Sequence, residues 1–104
     1  MKARSIDVRM HHSTGNVFAD IGFPPQEAAH LLIRADLMIQ LAGLIKERGL
    51  TQKQAARVLR VSLPRVSDLV RGQIALFSID ALVEMLTRLG VSVTLKTRRR
   101  RQVA

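Results

Sequence analysis

Arg65, Ser67 and Asp68 bring three kinds of hydrogen-bonding chemistry into a run of four positions. A guanidinium donates two parallel bonds to a planar pair of acceptors, a hydroxyl both donates and accepts, and a carboxylate accepts only. Leu63 and Pro64, just before them, add apolar contact. Such a set suits recognition of a flat polar edge better than the making or breaking of bonds. The chain's histidines lie outside any helix-held constellation, and no paired carboxylates stand at a useful spacing.

Those side chains need a rigid support, and the stretch Leu50 to Gly72 carries start and stop signals for two short helices. Thr51 is placed to cap the first, because its hydroxyl accepts from an otherwise unpaired backbone amide, and Gln54 three residues on completes a capping box. The first helix is expected over about Gln52 to Leu59. Ser62 starts the second, Pro64 falls in its first turn where a missing N–H does no harm, and Gly72 stops it. Ala55, Leu59, Val61, Val66 and Leu69 recur at spacings that turn them toward a shared interior. Gln52, Lys53, Arg57, Arg65, Ser67, Asp68 and Arg71 then face outward. Ala56 is small where the two helices must cross closely. A pair of this shape can lay its second helix in the major groove of duplex DNA.

Composition points the same way. The chain of 104 residues carries a formal charge of +9, which attracts polyanions and steers them inward. Phe18, Phe23 and Phe77 are its only aromatic residues, so single-stranded nucleic acid would find few stacking platforms and duplex DNA is favoured. An apolar fraction of 47% fits one folded domain with a small core. Without cysteine there is neither a disulfide nor thiolate chemistry. The lack of a long uninterrupted apolar run argues against a membrane span. Asp7, Arg9, His11 and His12 following Lys2 and Arg4 do not read as a signal peptide, so a cytoplasmic location is expected. A metal held by His11, His12 and the distant His30 would need a defined geometry that adjacent histidines on an extended chain do not give. A solvated loop is expected there, with no cofactor.

Thr51-Gln52 opening the first helix, Ala56 at its fifth position, Val66 and Leu69 in the second and Gly72 after it make a pattern that resembles the lambda-repressor-like (XRE, or Cro/C1-type) helix-turn-helix family. Over roughly Gly15 to Leu95, the flanks GNVFADIGFP, ADLMIQL and ALFSIDALVEML resemble the small HigA-like antitoxins that partner RelE-type toxins. The family usually places glycine at the turn position that Arg60 fills, and a left-handed turn costs any other residue roughly 1 kcal/mol. The resemblance implies an all-α, lambda-repressor-like bundle of about five helices, with short terminal β-strands possible. It also implies Gln52 as a phosphate anchor, with Arg71 and Gly72 as a second. Lys53 stands beside Gln52 at the amino end of the first helix, where backbone donors and the helix dipole favour a phosphate. Functionally it implies a repressor that is the antitoxin of a pair, represses its own operon and neutralises a RelE-like toxin.

The rest of the chain divides around this module into an N-terminal extension over 1–23, a helix-turn-helix domain over 24–90 with its central motif at 50–72, a strand at 91–97 and a basic tail at 98–104. Residues 1–22 have no helical period, but a strand is possible over 5–10, and His11 to Asn16 reads as a loop. Val17, Phe18 and Ile21 are expected to cover the helices that follow, with contact to a partner protein as the alternative. Pro24-Pro25 and Glu27 begin a helix that nothing stops before Arg48. Ala28, Leu31, Ala35, Met38, Ala42 and Ile45 form one apolar stripe on it, and Ile33, Leu37, Leu41 and Leu44 a second. A second copy of the chain would bury the second stripe, unless a kink near Asp36 or Gly43 divides the helix. Leu41, Leu44 and Ile45 should pack beneath the helix-turn-helix, and the connector Gln73 to Phe77 should close the core. Ser78 caps a last helix that ends at Gly90 and buries Ile79, Leu82, Val83, Leu86 and Leu89. The strand after it could pair with residues 5–10, with its own copy in a homodimer, or with a toxin's edge strand, and the homodimer is preferred. Arg98 to Arg101 are a phosphate clamp or a solvated tail.

In a docked complex the second helix presents Leu63, Pro64, Arg65, Ser67 and Asp68 to base edges. Arg65 is the foremost candidate, as a bidentate donor to O6 and N7 of guanine. Asp68 either accepts from a cytosine amino group or pairs with Arg65 or Arg71, and pairing is preferred. Leu63 and Pro64 offer contact to a thymine methyl. One module reads few bases, so a homodimer on a palindromic operator is expected. The competing classes are a protein-binding module that keeps the motif only as structure, and a small nuclease using His11, His12 and a carboxylate. The second is the weakest, and no enzymatic activity is expected. A standalone phage-type repressor is the alternative to an antitoxin.

Overall fold

The computed structural model describes residues 4–9 and 17–97, so the loop His11 to Asn16 and the tail Arg98 to Arg101 lie outside the described residues. Strand β1 (Arg4–Arg9) is followed by a one-turn helix α1 (Val17–Asp20) and the long helix α2 (Pro25–Glu47). Then come α3 (Gln52–Leu59), α4 (Leu63–Val70), a single 3-10 turn (Ile74–Leu76), α5 (Ile79–Arg88) and strand β2 (Val91–Lys96). This is an all-α helix-turn-helix bundle with short terminal strands. The one-turn α1 falls in a region expected to have no helix, because a single turn is too short to show a period.

The caps form as the residue types require. The Gln54 amide donates to Thr51 Oγ1 at 3.1 Å while the Thr51 amide donates to Gln54 Oε1 at 2.9 Å, so two otherwise orphaned donors are satisfied reciprocally. Ser62 Oγ accepts from the Arg65 amide at 3.3 Å, and Ser78 Oγ from the Ala81 amide at 3.1 Å. Between α3 and α4 the chain reverses through Arg60, which adopts the left-handed conformation at φ 58 and ψ 44. The Val61 amide then closes on the Ala56 carbonyl at 3.0 Å, satisfying an end-of-helix acceptor. The glycine-type turn is therefore kept with an arginine in it. Arg60→Gly should raise the unfolding free energy by roughly 0.5–1 kcal/mol, read as a higher denaturant midpoint with an unchanged slope. A lower midpoint would mean that the arginine side chain returns more than the turn costs.

Helix α2 is the pillar of the bundle. It runs unbroken through Asp36 and Gly43, and it packs against α1, α4, α5, β1 and the 3-10 turn. Ile33, Leu37, Leu41 and Leu44 are all buried within the one chain, as are Ala28, Met38 and Ile45 of the other stripe. A second copy is thus not required to cover the second stripe, because elements on several sides share the burial. Ile39 remains 69% exposed. By length and composition α2 could also cross a membrane, with a mean hydropathy of 1.5 over its most apolar window, although polar and charged residues interrupt its apolar runs. A core helix passes the same test, and Leu37, Met38, Leu41, Leu44 and Ile45 are core here.

Leu41, Leu44 and Ile45 share one cluster with Ala55, Leu59, Val66 and Leu69 of the helix pair and with Leu82, Met85, Leu86 and Leu89. Met85 is buried although it stands outside the expected stripe, whereas Ile79 and Val83 of that stripe are only half-buried. Ile21 does not cover the helices but is 68% exposed, since the one-turn α1 leaves it in the turn beyond. Phe18 is half-buried and meets the Phe23 ring edge-on, with centroids 6.2 Å apart.

The strand expected after Gly90 pairs inside the same chain. β1 and β2 run parallel in the register Arg4↔Val91 through Arg9↔Lys96. This replaces the preferred homodimer pairing with the intramolecular alternative. Parallel strands need a long crossover connection, and here the helical bundle itself supplies it.

Candidate nucleic-acid interface

The amino end of α3 and the outer face of α4 form one open depression, lined by Gln52, Leu63, Pro64, Ser67, Asp68 and Arg71. The α4 members recur at i, i+1, i+4, i+5 and i+8, which is one face of a helix. Opposite that face Val66 and Leu69 are fully buried, so the core fixes which side of α4 looks outward. Leu63 is 46% exposed and Pro64 is exposed, while Ser67 and Asp68 are half-buried. Asp68 accepts from Arg71 through a 2.9 Å ion pair, so of the two arginines expected as partners it takes Arg71 and not Arg65. At this exposure the pair contributes little stability, but it holds a guanidinium at the rim of the depression.

Arg65 departs from its expected place. Its Nη1 donates to the Leu76 carbonyl at 2.6 Å, and its guanidinium lies over the Phe77 ring, 3.9 Å from the centroid. It is therefore turned toward the connector after α4 and does not line the depression with Ser67. Gly72 also differs in detail. It holds φ 76 and its amide donates to the Leu69 carbonyl at 3.0 Å, so its backbone donor ends the helix. Lys53 is exposed at the amino end of α3, beside Gln52 but outside the depression.

Two further arginines brace the pair of helices in ways not read from sequence. Arg88 of α5 donates to the Leu59 carbonyl at 2.7 Å, at the carboxyl end of α3, and Arg34 of α2 donates to the Phe77 carbonyl at 3.5 Å. Both link positions far apart in the chain, so no local spacing signals them.

Between Arg48 and Arg71 the bases are Lys53, Arg57, Arg60 and Arg65, and the one acid is Asp68, already paired. Arg48, Lys53, Arg57 and Arg60 are exposed, so this stretch of the chain carries a surplus of positive charge at its surface. No group of histidine, cysteine, aspartate or glutamate among the described residues could hold a metal ion, and His11 and His12 lie outside those residues. A small, mixed polar and apolar helical face with the Arg71 guanidinium at its edge, on a basic stretch of chain, suits a duplex, which offers phosphates outside and base edges within its groove.

A family model described as a helix-turn-helix domain matches residues 17–98, and a search of curated proteins finds no match.

Proposed function

Since the chain belongs to this helix-turn-helix domain family, a DNA-binding module, we propose that it is a sequence-specific transcriptional regulator of duplex DNA. It acts in the cytoplasm as a repressor, as a homodimer on a palindromic operator, and without catalytic activity. The observation that carries the proposal is the single outer face of α4 that joins Leu63, Pro64, Ser67, Asp68 and Arg71 to Gln52 of α3. In this reading Ser67 and Asp68 contact base edges, and Leu63 with Pro64 takes a thymine methyl. Gln52, Lys53 and Arg71 hold phosphates and fix the register.

The resemblance of the flanking stretches to HigA-like antitoxins, within an XRE-type pattern, supports a finer reading. The protein would be the antitoxin of a pair, neutralising a RelE-like toxin and repressing the operon that encodes both.

Footprinting on the DNA upstream of its own reading frame tests the DNA reading. The wild-type chain should protect two half-sites about one helical turn apart. Ser67→Glu sets a carboxylate among base edges and phosphates. It should lower affinity at least tenfold, about 1.4 kcal/mol, with the thermal midpoint held within a few degrees. Absence of protection, together with co-purification of a small basic partner, would favour a protein-binding module. Absence of any toxin-like neighbouring frame would favour a standalone phage-type repressor.

A further inference from the structure

We infer that Arg65 is a positioning residue, clamping α4 to the Leu76–Phe77 connector and so setting the tilt at which α4 meets DNA. The consequence for DNA rests on the function proposed above, whereas the clamp itself does not.

Helix α4 has only eight residues, and its buried contacts are Val66 and Leu69. Two side chains on one side of so short a helix leave it free to roll about that line of contact. Arg65 supplies a constraint off that line. Its donor reaches the Leu76 carbonyl at 2.6 Å, and its planar face stacks on Phe77 at 3.9 Å. The platform is itself fixed, because Phe77 is 1% exposed and its carbonyl accepts from Arg34 of α2. A guanidinium can stack and donate in its own plane at once, which an ammonium cannot do as well. The clamp therefore ties the outward face of α4 to the pillar helix through the connector.

The test compares Arg65→Met, Arg65→Lys and Phe77→Leu in the full chain on a labelled operator duplex. Arg65→Met should weaken binding on the order of tenfold, the scale of one charge-assisted hydrogen bond. The loss should fall on every base position alike, and the salt slope should not change, because no DNA contact has been removed. Arg65→Lys, which keeps a cation over the ring, should recover part of the affinity. Phe77→Leu should reproduce the loss and add little to it when combined with Arg65→Met. A slope smaller by about one per copy, with relaxation at a single base pair, would show that Arg65 touches DNA directly and would overturn the inference. Wild-type affinity in Arg65→Met would overturn it equally.

Amide hydrogen exchange of the free protein separates the clamp from the DNA reading. Exchange across Val66 to Val70 should speed up in Arg65→Met relative to α5, with Arg65→Lys between it and the wild type. Should the wild-type chain hold no duplex, the proposed function fails while this comparison still decides the clamp, and unchanged exchange refutes it.

Discussion

Phe77→Ala is expected to lower the unfolding free energy by about 3–5 kcal/mol, the largest stability loss from a single truncation in this chain. The ring is 1% exposed and is the largest of the fully buried side chains. A domain of this size has a total stability of roughly 5–15 kcal/mol, so the variant keeps at most about four-fifths of it. At about 4–8 °C per kcal/mol for a domain near 100 residues, the thermal midpoint should fall by more than 10 °C. Two effects add. The void sits where α2, α5 and the connector converge, and the Arg65 guanidinium loses the face on which it rests. Leu76→Ala is the matched control. That side chain is 53% exposed, and its carbonyl, which Arg65 uses, survives the substitution. Its cost should stay below about 1 kcal/mol. Chemical denaturation followed by circular dichroism measures both, and equal losses would show that the connector, and not the ring, is what the core requires.

The contrast between those neighbours also marks what was legible in the sequence. The caps at Thr51, Ser62 and Ser78 and the ends of α3 were readable because each depends on residue types within three or four positions. Burial of Ala55, Leu59, Val66 and Leu69 followed from helical spacing alone. The error over Arg65 was avoidable on the same grounds. At 100° per residue, Arg65 stands about 40° from buried Leu69 and about 160° from Ser67, so the two polar side chains could not share one outward face. What it grasps was not readable, because Leu76 lies beyond the end of α4. The pairing of β1 with β2 was beyond reach for a similar reason. Both stretches alternate, and alternation specifies a strand but not its mate. On α2 the stripe Ile33, Leu37, Leu41 and Leu44 is buried throughout, whereas Leu31, Ala35 and Ala42 of the other are half-buried. Neither a second copy nor a kink is needed to cover them, and the number of elements around one long helix cannot be counted from its own period.

Raising the salt from 50 to 200 mM should weaken operator binding by about 10⁵-fold, if two copies together neutralise around ten phosphates. Each neutralised phosphate releases condensed counterion, so the logarithm of affinity falls against the logarithm of salt with a slope near −9. The surface is suited to this, because Arg48, Lys53, Arg57 and Arg60 are all exposed on and beside α3. Arg71 should count for less than a free cation, being already paired with Asp68 at 2.9 Å. Lys53→Ala should reduce the slope by about one per copy, hence by about two in a dimer, and should weaken all sequences alike. A labelled duplex followed by fluorescence anisotropy across that salt range gives the slope directly. A value near half of −9 would mean that one copy binds alone and the operator is not read by a dyad. A value near zero would remove phosphate contact altogether, and with it a role in binding for the exposed bases on and beside α3.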